Sequence, residues 1–228
     1  MKENPLAEPG FYGEMRRETD PVWKAVLDHP FVRGIGDGTL SRERFEFYLK
    51  QDYVYLIDFS RVFGLAAAKA SLLSDMGTFA ELLNVTLNTE MELHRKTCAA
   101  YGIPGEALEA TRKAMITSAY TDYLVRTCLE GDLADILAVL VPCTCGYVEI
   151  AKELKKRGLP GDPFLKDWVV QYSSEEFEKF ADWLIDRMNA HADGAPARWK
   201  ERWHRLYETS ARYEHLFFDM SWKMEEWP

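Results

Sequence analysis

The decapeptide VPCTCGYVEI holds two thiols inside a run of apolar residues at helical spacing. Cys143 and Tyr147 are four residues apart and share one helix face, whereas Cys145 and Glu149 share a roughly opposite face. Pro142 lies inside the helical pattern and predicts a kink just before Cys143. A thiol here can act as a nucleophile only if a pocket and a neighbouring acid or base accompany it.

Two other interpretations of these thiols stay open. A C-x-C pair without a second cysteine pair or a nearby histidine is a poor zinc site, and no metal is expected. Free cysteine is among the most buried residue types, so the thiols can also be inert core side chains. The four cysteines, Cys98, Cys128, Cys143 and Cys145, have no disulfide-framework spacing and indicate a reducing compartment.

Three acids fall within apolar helix stripes at about 100° per residue. They are Asp52, Glu214 and Glu90, and His94 follows Glu90 by four residues. A desolvated acid has a raised pKa or needs a partner, so several in one bundle predict an internal polar pocket. The alternative is that they pair with arginines and tyrosines, fix helix register and bind nothing.

The elements that must position these groups are all helical. Apolar residues recur at helical spacing almost throughout, and the glycine- and proline-rich breaks between them are short. The predicted helices cover roughly residues 16–28, 41–71, 76–101, 106–130, 132–157, 163–191 and 196–225. In the sixth, Ser173 and Glu176 have capping-box spacing, which predicts a helix restart after a bend at Tyr172. We expect one all-α domain over residues 1–228, a bundle of long helices.

Composition limits the partners. The 228 residues carry a net charge of −9 with a pI near 5.2, which argues against nucleic acid or an anionic membrane as a binding surface. The N-terminal MKENPLAEPGFYGEM has no signal-peptide pattern, and the uncharged run around ADILAVLVPCTCGYVE is shorter than about 18 residues. A soluble cytoplasmic protein that binds a neutral or cationic small molecule is expected.

Seven motifs in order resemble the TenA, or thiaminase II, family of aminopyrimidine aminohydrolases, over nearly the whole chain. They are HPFVRGIGDGTL, YLKQDYVYL, EMELH, AYTDYL, LVPCTCGYVEI, the tyrosine after DWVVQ, and YEHLFF. The resemblance implies a haem-oxygenase-like helical bundle, a homotetramer and no cofactor. It also implies conversion of 4-amino-5-aminomethyl-2-methylpyrimidine, a breakdown product of thiamin, with thiamin itself as a slower substrate.

The resemblance assigns roles to two catalytic residues. Cys143 falls on the nucleophile that adds to the pyrimidine ring, which places the chain in the cysteine-containing branch, and Glu214 falls on the acid and base. The residues after the nucleophile, Thr144, Cys145 and Gly146, replace bulkier aromatics, which puts the pocket volume in question.

The resemblance also assigns the substrate-binding side chains. Asp52 would bond a ring nitrogen and the exocyclic amine, and Tyr55 would orient the thiol. Tyr147 would pack on the ring, and Tyr120 and Tyr172 would line the pocket and hold the catalytic glutamate.

Two functions of other classes remain alternatives. Helical bundles can hold two irons through glutamates and histidines, here Glu90, His94, Glu149, Glu214 and His215, although the usual Glu-x-x-His pairs are missing. The bundle could instead bind a pyrimidine or a partner without catalysis, as a regulator with a structural thiol.

Overall fold

The computed structural model describes residues 1–2 and 4–228, with Leu93 described by its backbone alone. These residues form a 3₁₀ turn at Pro5–Ala7, a π turn at Thr86–Glu90 and twelve α-helices, and they contain no strand. The helices are α1 Gly10–Glu18, α2 Asp20–Leu27, α3 Pro30–Asp37, α4 Arg42–Lys69, α5 Leu73–Val85, α6 Met91–Ala100, α7 Gly105–Glu109, α8 Met115–Glu130, α9 Leu133–Arg157, α10 Pro163–Tyr172, α11 Glu175–Ala192 and α12 Ala197–Lys223. The predicted all-α class is confirmed.

The chain divides into two compact units. Unit 1 comprises Met1–Leu40 with Leu137–Asp219, and unit 2 comprises Ser41–Ile136 with Met220–Pro228. One boundary between them falls just before α4, and the other two fall within α9 and α12. The expectation of one domain over the whole chain stays a prediction.

Unit 1 contains a helix where the sequence predicted a break. Residues 29–41 were expected to be a loop because of their three glycines, yet Pro30–Asp37 is helical. The His29 ring nitrogen Nδ1 accepts from the Phe31 N–H at 3.2 Å and caps the helix, and Pro30 suits its first turn. Gly38 ends it in the left-handed conformation at φ 70°.

The bend predicted within the sixth helix is confirmed, but its cap lies one residue later. α10 ends at Tyr172, and α11 begins at Glu175 with Ser174 as its N-cap, whose Oγ accepts from the Phe177 N–H at 3.2 Å. Ser173 instead closes α10 as its C-cap. The break therefore leaves Tyr172 at a helix end.

The cysteine-bearing helix α9 runs without interruption through Pro142. By length and composition alone it could cross a membrane, with a mean hydropathy of 1.7 over 18 residues, yet 94% of that window is buried. This is the pattern of the core helix of a soluble protein. Its apolar length positions the thiols inside the protein.

Unit 2 is built around α4, which packs against α5, α6, α7, α8 and the π turn. The predicted helix over residues 106–130 is split, with a non-helical segment between α7 and α8. Buried Gln51 accepts from the Ala114 N–H at 2.9 Å and donates to the Arg112 carbonyl at 3.1 Å. The side chain of α4 thus satisfies backbone groups that a continuous helix would have used itself.

Candidate functional site

The candidate nucleophile lies in the core of unit 1. Cys143 is 7% exposed, and its thiol donates to the Leu140 carbonyl at 2.9 Å, three residues earlier on α9. The thiol proton is directed at a carbonyl oxygen, so a base must remove it before the sulfur can act as a nucleophile. The same helix face carries Tyr147, which is also buried.

An aromatic cluster surrounds Tyr147. Its ring centroid lies 4.8 Å from Tyr172 at the end of α10 and 5.7 Å from Trp168. Phe218 of α12 is 5.8 Å away, and Phe177 at the start of α11 is 5.1 Å from Tyr172. Edge and tilted contacts of this kind fix ring orientations. Two of the predicted site tyrosines, Tyr147 and Tyr172, are therefore in contact.

The candidate acid and base, Glu214 of α12, is also buried, with 3% exposure. One turn earlier, the Ser210 hydroxyl donates to the Val139 carbonyl of α9 at 2.9 Å. This bond ties α12 to the helix that carries Cys143. The prediction that Glu214 lies in an apolar helix face is confirmed.

The residues after the candidate nucleophile face other elements of unit 1. The Cys145 thiol lies 3.9 Å from the Ala181 carbonyl of α11, and burial raises its pKa well above the usual value. A Cβ on Gly146 would lie 2.1 Å from the Trp23 ring of α2, so only glycine fits there. Cys145 and Gly146 serve helix packing.

The opposite face of α9 carries a buried ion pair that the sequence did not predict. Arg16 binds Glu149 through two hydrogen bonds of 2.9 and 2.6 Å, and its third contact is Asp20 at 3.1 Å. Glu149 is thus used structurally. Arg16 and Glu149 are 133 residues apart in the sequence, so no local sequence pattern reveals the pair.

In unit 2, Asp52 of α4 is 7% exposed. Burial, with a smaller contribution from the negative charge of Glu90, raises the pKa of Asp52 to about 7. His94 of α6 lies against it, with Nδ1 3.7 Å from Oδ2. Glu90 itself is only half-buried, so the expectation of three buried acids is wrong for that residue.

Two further predicted residues meet in unit 2. Tyr55, one turn after Asp52 on α4, lies 5.4 Å from Tyr120 of α8, centroid to centroid. Phe59 also stacks on Tyr55, with ring centroids 5.6 Å apart. Both tyrosines are buried.

The structure therefore gives two groups of predicted site residues. Unit 1 holds Cys143, Tyr147, Tyr172 and Glu214, and unit 2 holds Asp52, Tyr55 and Tyr120. The expectation that both groups serve one substrate stays a prediction. Within the described residues no group of three or more His, Cys, Asp and Glu side chains could hold a metal ion, so the di-iron alternative gains no support.

A family model and a curated relative both match this chain over most of its length. A family model described as TENA/THI-4/PQQC matches residues 16–224. An aminopyrimidine aminohydrolase of Halalkalibacterium halodurans is 41% identical over 220 residues, which is 95% of this chain and 97% of that protein.

Solved structures of other proteins share the fold of this chain. A TenA family transcription regulator from Silicibacter sp. has a TM-score of 0.88 at 33% identity, covering 97% of this chain and 99% of that chain. A domain with a heme oxygenase-like fold from Shewanella denitrificans has a TM-score of 0.71 at 14% identity, covering 92% and 91%. The predicted haem-oxygenase-like fold is confirmed.

Proposed function

This chain belongs to the TENA/THI-4/PQQC family, and we propose that it is an aminopyrimidine aminohydrolase of thiamin salvage. The observation that carries the proposal is the 41% identity, over nearly the full length of both chains, to a protein of that name. The substrate is 4-amino-5-aminomethyl-2-methylpyrimidine, which reacts with water to give the 5-hydroxymethyl pyrimidine and ammonia. Thiamin is a slower substrate.

Covalent catalysis by Cys143 solves the main chemical difficulty of this reaction. Ammonia leaves slowly from an exocyclic carbon unless the ring supplies electrons. Addition of the Cys143 thiolate to the ring, with a ring nitrogen protonated, makes an electron pair available to expel the amine. Water then adds at the exocyclic carbon, and the thiolate departs as the ring is restored.

Glu214 is the group that exchanges protons with the thiol, the water and the departing amine. One carboxyl group must take a proton from the thiol or from water and give one to the departing amine. Glu214 is 3% exposed, and a carboxyl group that is shielded from water in this way is suited to both duties. Asp52 hydrogen-bonds to the ring nitrogen and to the exocyclic 4-amine.

The tyrosines act through shape and orientation. Tyr147 packs on the pyrimidine ring, and Tyr172 supports it from the end of α10 at 4.8 Å. Tyr55 orients the thiol, and Tyr120, at 5.4 Å from Tyr55, holds that ring in place. Tyr120 and Tyr172 also help to hold Glu214.

We further propose that the protein works without a cofactor as a cytoplasmic homotetramer. Reduced, buried cysteines suit a reducing compartment. The acidic net charge of −9 suits a small-molecule substrate better than nucleic acid or a membrane.

The test is release of the hydroxymethyl pyrimidine by purified protein, measured by chromatography. Cys143→Ser should lower kcat by about 100-fold or more, because a neutral hydroxyl is a far poorer nucleophile than a thiolate. The matched control is Cys145→Ser, two residues away on another helix face, which should keep kcat within about twofold.

Two outcomes would contradict the proposal. Near-normal turnover by Cys143→Ser would refute covalent catalysis by that thiol. Thermal stabilisation of the wild-type protein by pyrimidines, without turnover, would identify a binding module instead.

A further inference from the structure

His94 contacts the candidate pyrimidine-reading acid but has no role in the chemistry above. Its ring touches α4 at two points: Nε2 lies 2.6 Å from the Leu49 carbonyl, and Nδ1 lies 3.7 Å from Asp52 Oδ2. Leu49 and Asp52 are three residues apart, so one imidazole spans one turn of α4. The side chains of His94 and Asp52 are each 10% exposed.

The π turn at Thr86–Glu90 explains why His94 reaches this place. A π turn inserts an extra residue into a helix and shifts the phase of everything after it. An uninterrupted α-helix would have put Glu90 and Thr97 on the buried stripe, but among the described side chains of α6 the buried ones are Met91 and Cys98. His94 lies on this shifted stripe, between them.

The Leu49 carbonyl fixes the tautomer of the ring. A carbonyl oxygen only accepts hydrogen bonds, so Nε2 must carry the proton. Burial lowers the pKa of His94, so the ring is neutral near pH 7. A neutral ring protonated at Nε2 has a lone pair on Nδ1, which lies 3.7 Å from Asp52 Oδ2. This distance is too long for a hydrogen bond, so the lone pair disfavours a negative charge on Asp52 without occupying its O–H donor.

The other titratable groups of unit 2 near Asp52 do not favour its ionised form. Glu90, in the π turn, contributes negative charge. Cys98, on α6, is a neutral thiol because burial raises its pKa to about 12. Neither contributes the positive charge that would favour an ionised Asp52.

We propose that His94 is a positioning residue that holds Asp52 as an uncharged carboxylic acid in the free protein. The inference rests on the proposed function, because the group that Asp52 meets is a 4-aminopyrimidine. A carboxylic acid presents one donor and one acceptor, which match the ring nitrogen and the exocyclic amine. An ionised Asp52 presents two acceptors and would oppose the ring nitrogen with a second lone pair.

The neutral acid also supplies the proton that activates the ring. Its O–H proton passes from the Asp52 oxygen to the ring nitrogen, so the ring becomes cationic, Asp52 becomes a carboxylate, and the total charge is unchanged. A cationic ring accepts the thiolate more readily. His94 acts on this step only through Asp52.

Two variants of His94 separate its two contacts. In His94→Gln the amide nitrogen can keep the bond to Leu49, but no acceptor remains at the Nδ1 position. In His94→Asn the amide oxygen replaces Nδ1 as an acceptor near Asp52, while the bond to Leu49 is lost. We expect KM for the aminopyrimidine to rise about tenfold in His94→Gln and to return to within about threefold of wild type in His94→Asn.

A merely structural histidine would give the reverse order, because Asn loses the one short hydrogen bond of the ring. That order, or unchanged kinetics in both variants, would overturn the proposal while leaving the proposed function standing. Absence of turnover by the wild-type protein would overturn the proposed function instead.

A measurement without substrate covers the case in which neither variant folds. Nitrogen-15 NMR of the wild-type protein should show the His94 proton on Nε2, and carbon-13 NMR should show an uncharged Asp52 carboxyl at pH 6. A proton on Nδ1, or an ionised Asp52 at that pH, would overturn the proposal without any assay of activity.

Discussion

At the scale of single residues, the neighbours of a buried acid decide what it can do in this protein. Asp52 has neutral or negative neighbours in unit 2, and its pKa rises to about 7. Glu149, equally buried, has a guanidinium across two hydrogen bonds. The first acid is thus available for proton chemistry near neutral pH, whereas the second is committed to a structural pair with Arg16.

The Arg16–Glu149 pair makes a stability prediction. Arg16→Met keeps much of the side-chain length but leaves the Glu149 carboxylate buried without its partner. The free energy of unfolding should fall by about 3–5 kcal/mol, measured by urea denaturation at pH 7. Turnover of the folded fraction should persist, because neither residue belongs to the proposed site.

The control is Arg212→Met, which breaks the 2.7 Å pair with Glu208 on the exposed face of α12. Exposed pairs between residues four apart contribute little, so the change should stay within about 0.5 kcal/mol. Equal losses of unfolding free energy in the two variants would show that burial does not determine how much the Arg16–Glu149 pair stabilises the protein.

Sequence patterns located the buried acids well but not their partners. Asp52 and Glu214 lie in apolar stripes, which the helical period reveals directly. The contact between His94 and Leu49 depends on the π turn, and no composition signal marks such a turn in TLNTE. The pair of Arg16 with Glu149 joins α1 to α9, and only the folded chain brings these helices together.

At the scale of elements, local signals explain the observed helix ends. His29 with Pro30 begins α3, Ser174 begins α11, and Gly38 ends α3. The glycines of residues 29–41 suggested a loop because glycine is costly inside helices. A histidine cap and a proline in the first turn outweigh that cost in α3.

Two helical glycines give opposite predictions for α9 and α4. Gly146→Ala would place a Cβ 2.1 Å from the Trp23 ring, which must move together with α2. The free energy of unfolding should fall by about 1–3 kcal/mol. Gly64→Ala meets only Leu83 Cδ2, at 3.8 Å, and should raise stability by up to about 1 kcal/mol because alanine favours a helix.

Urea titration of the two variants beside the wild type provides the measurement. An unchanged free energy of unfolding in Gly146→Ala would show that the Trp23 ring can move away from α9 without loss of stability. Gly146 would then be free to vary, and the packing role assigned to it would be wrong.

At the scale of the whole molecule, charge sets the conditions for assembly. Each chain carries −9, so a homotetramer would carry −36, four times that value. Like charges on associating copies repel at low ionic strength, and salt screens this repulsion over about 10 Å at 0.1 M. Apolar burial between copies must outweigh the repulsion if the tetramer is to persist.

The assembly prediction follows from this balance. Sedimentation equilibrium should give a mass near four times 26.3 kDa, which is 105.2 kDa. The tetramer should dissociate at a higher protein concentration in 10 mM salt than in 300 mM salt, because only the second condition screens the like charges. A mass near 26.3 kDa in both salts would contradict the tetramer. Dissociation promoted by added salt would show instead that ion pairs between copies hold the assembly, since screening weakens attraction between opposite charges as it weakens repulsion.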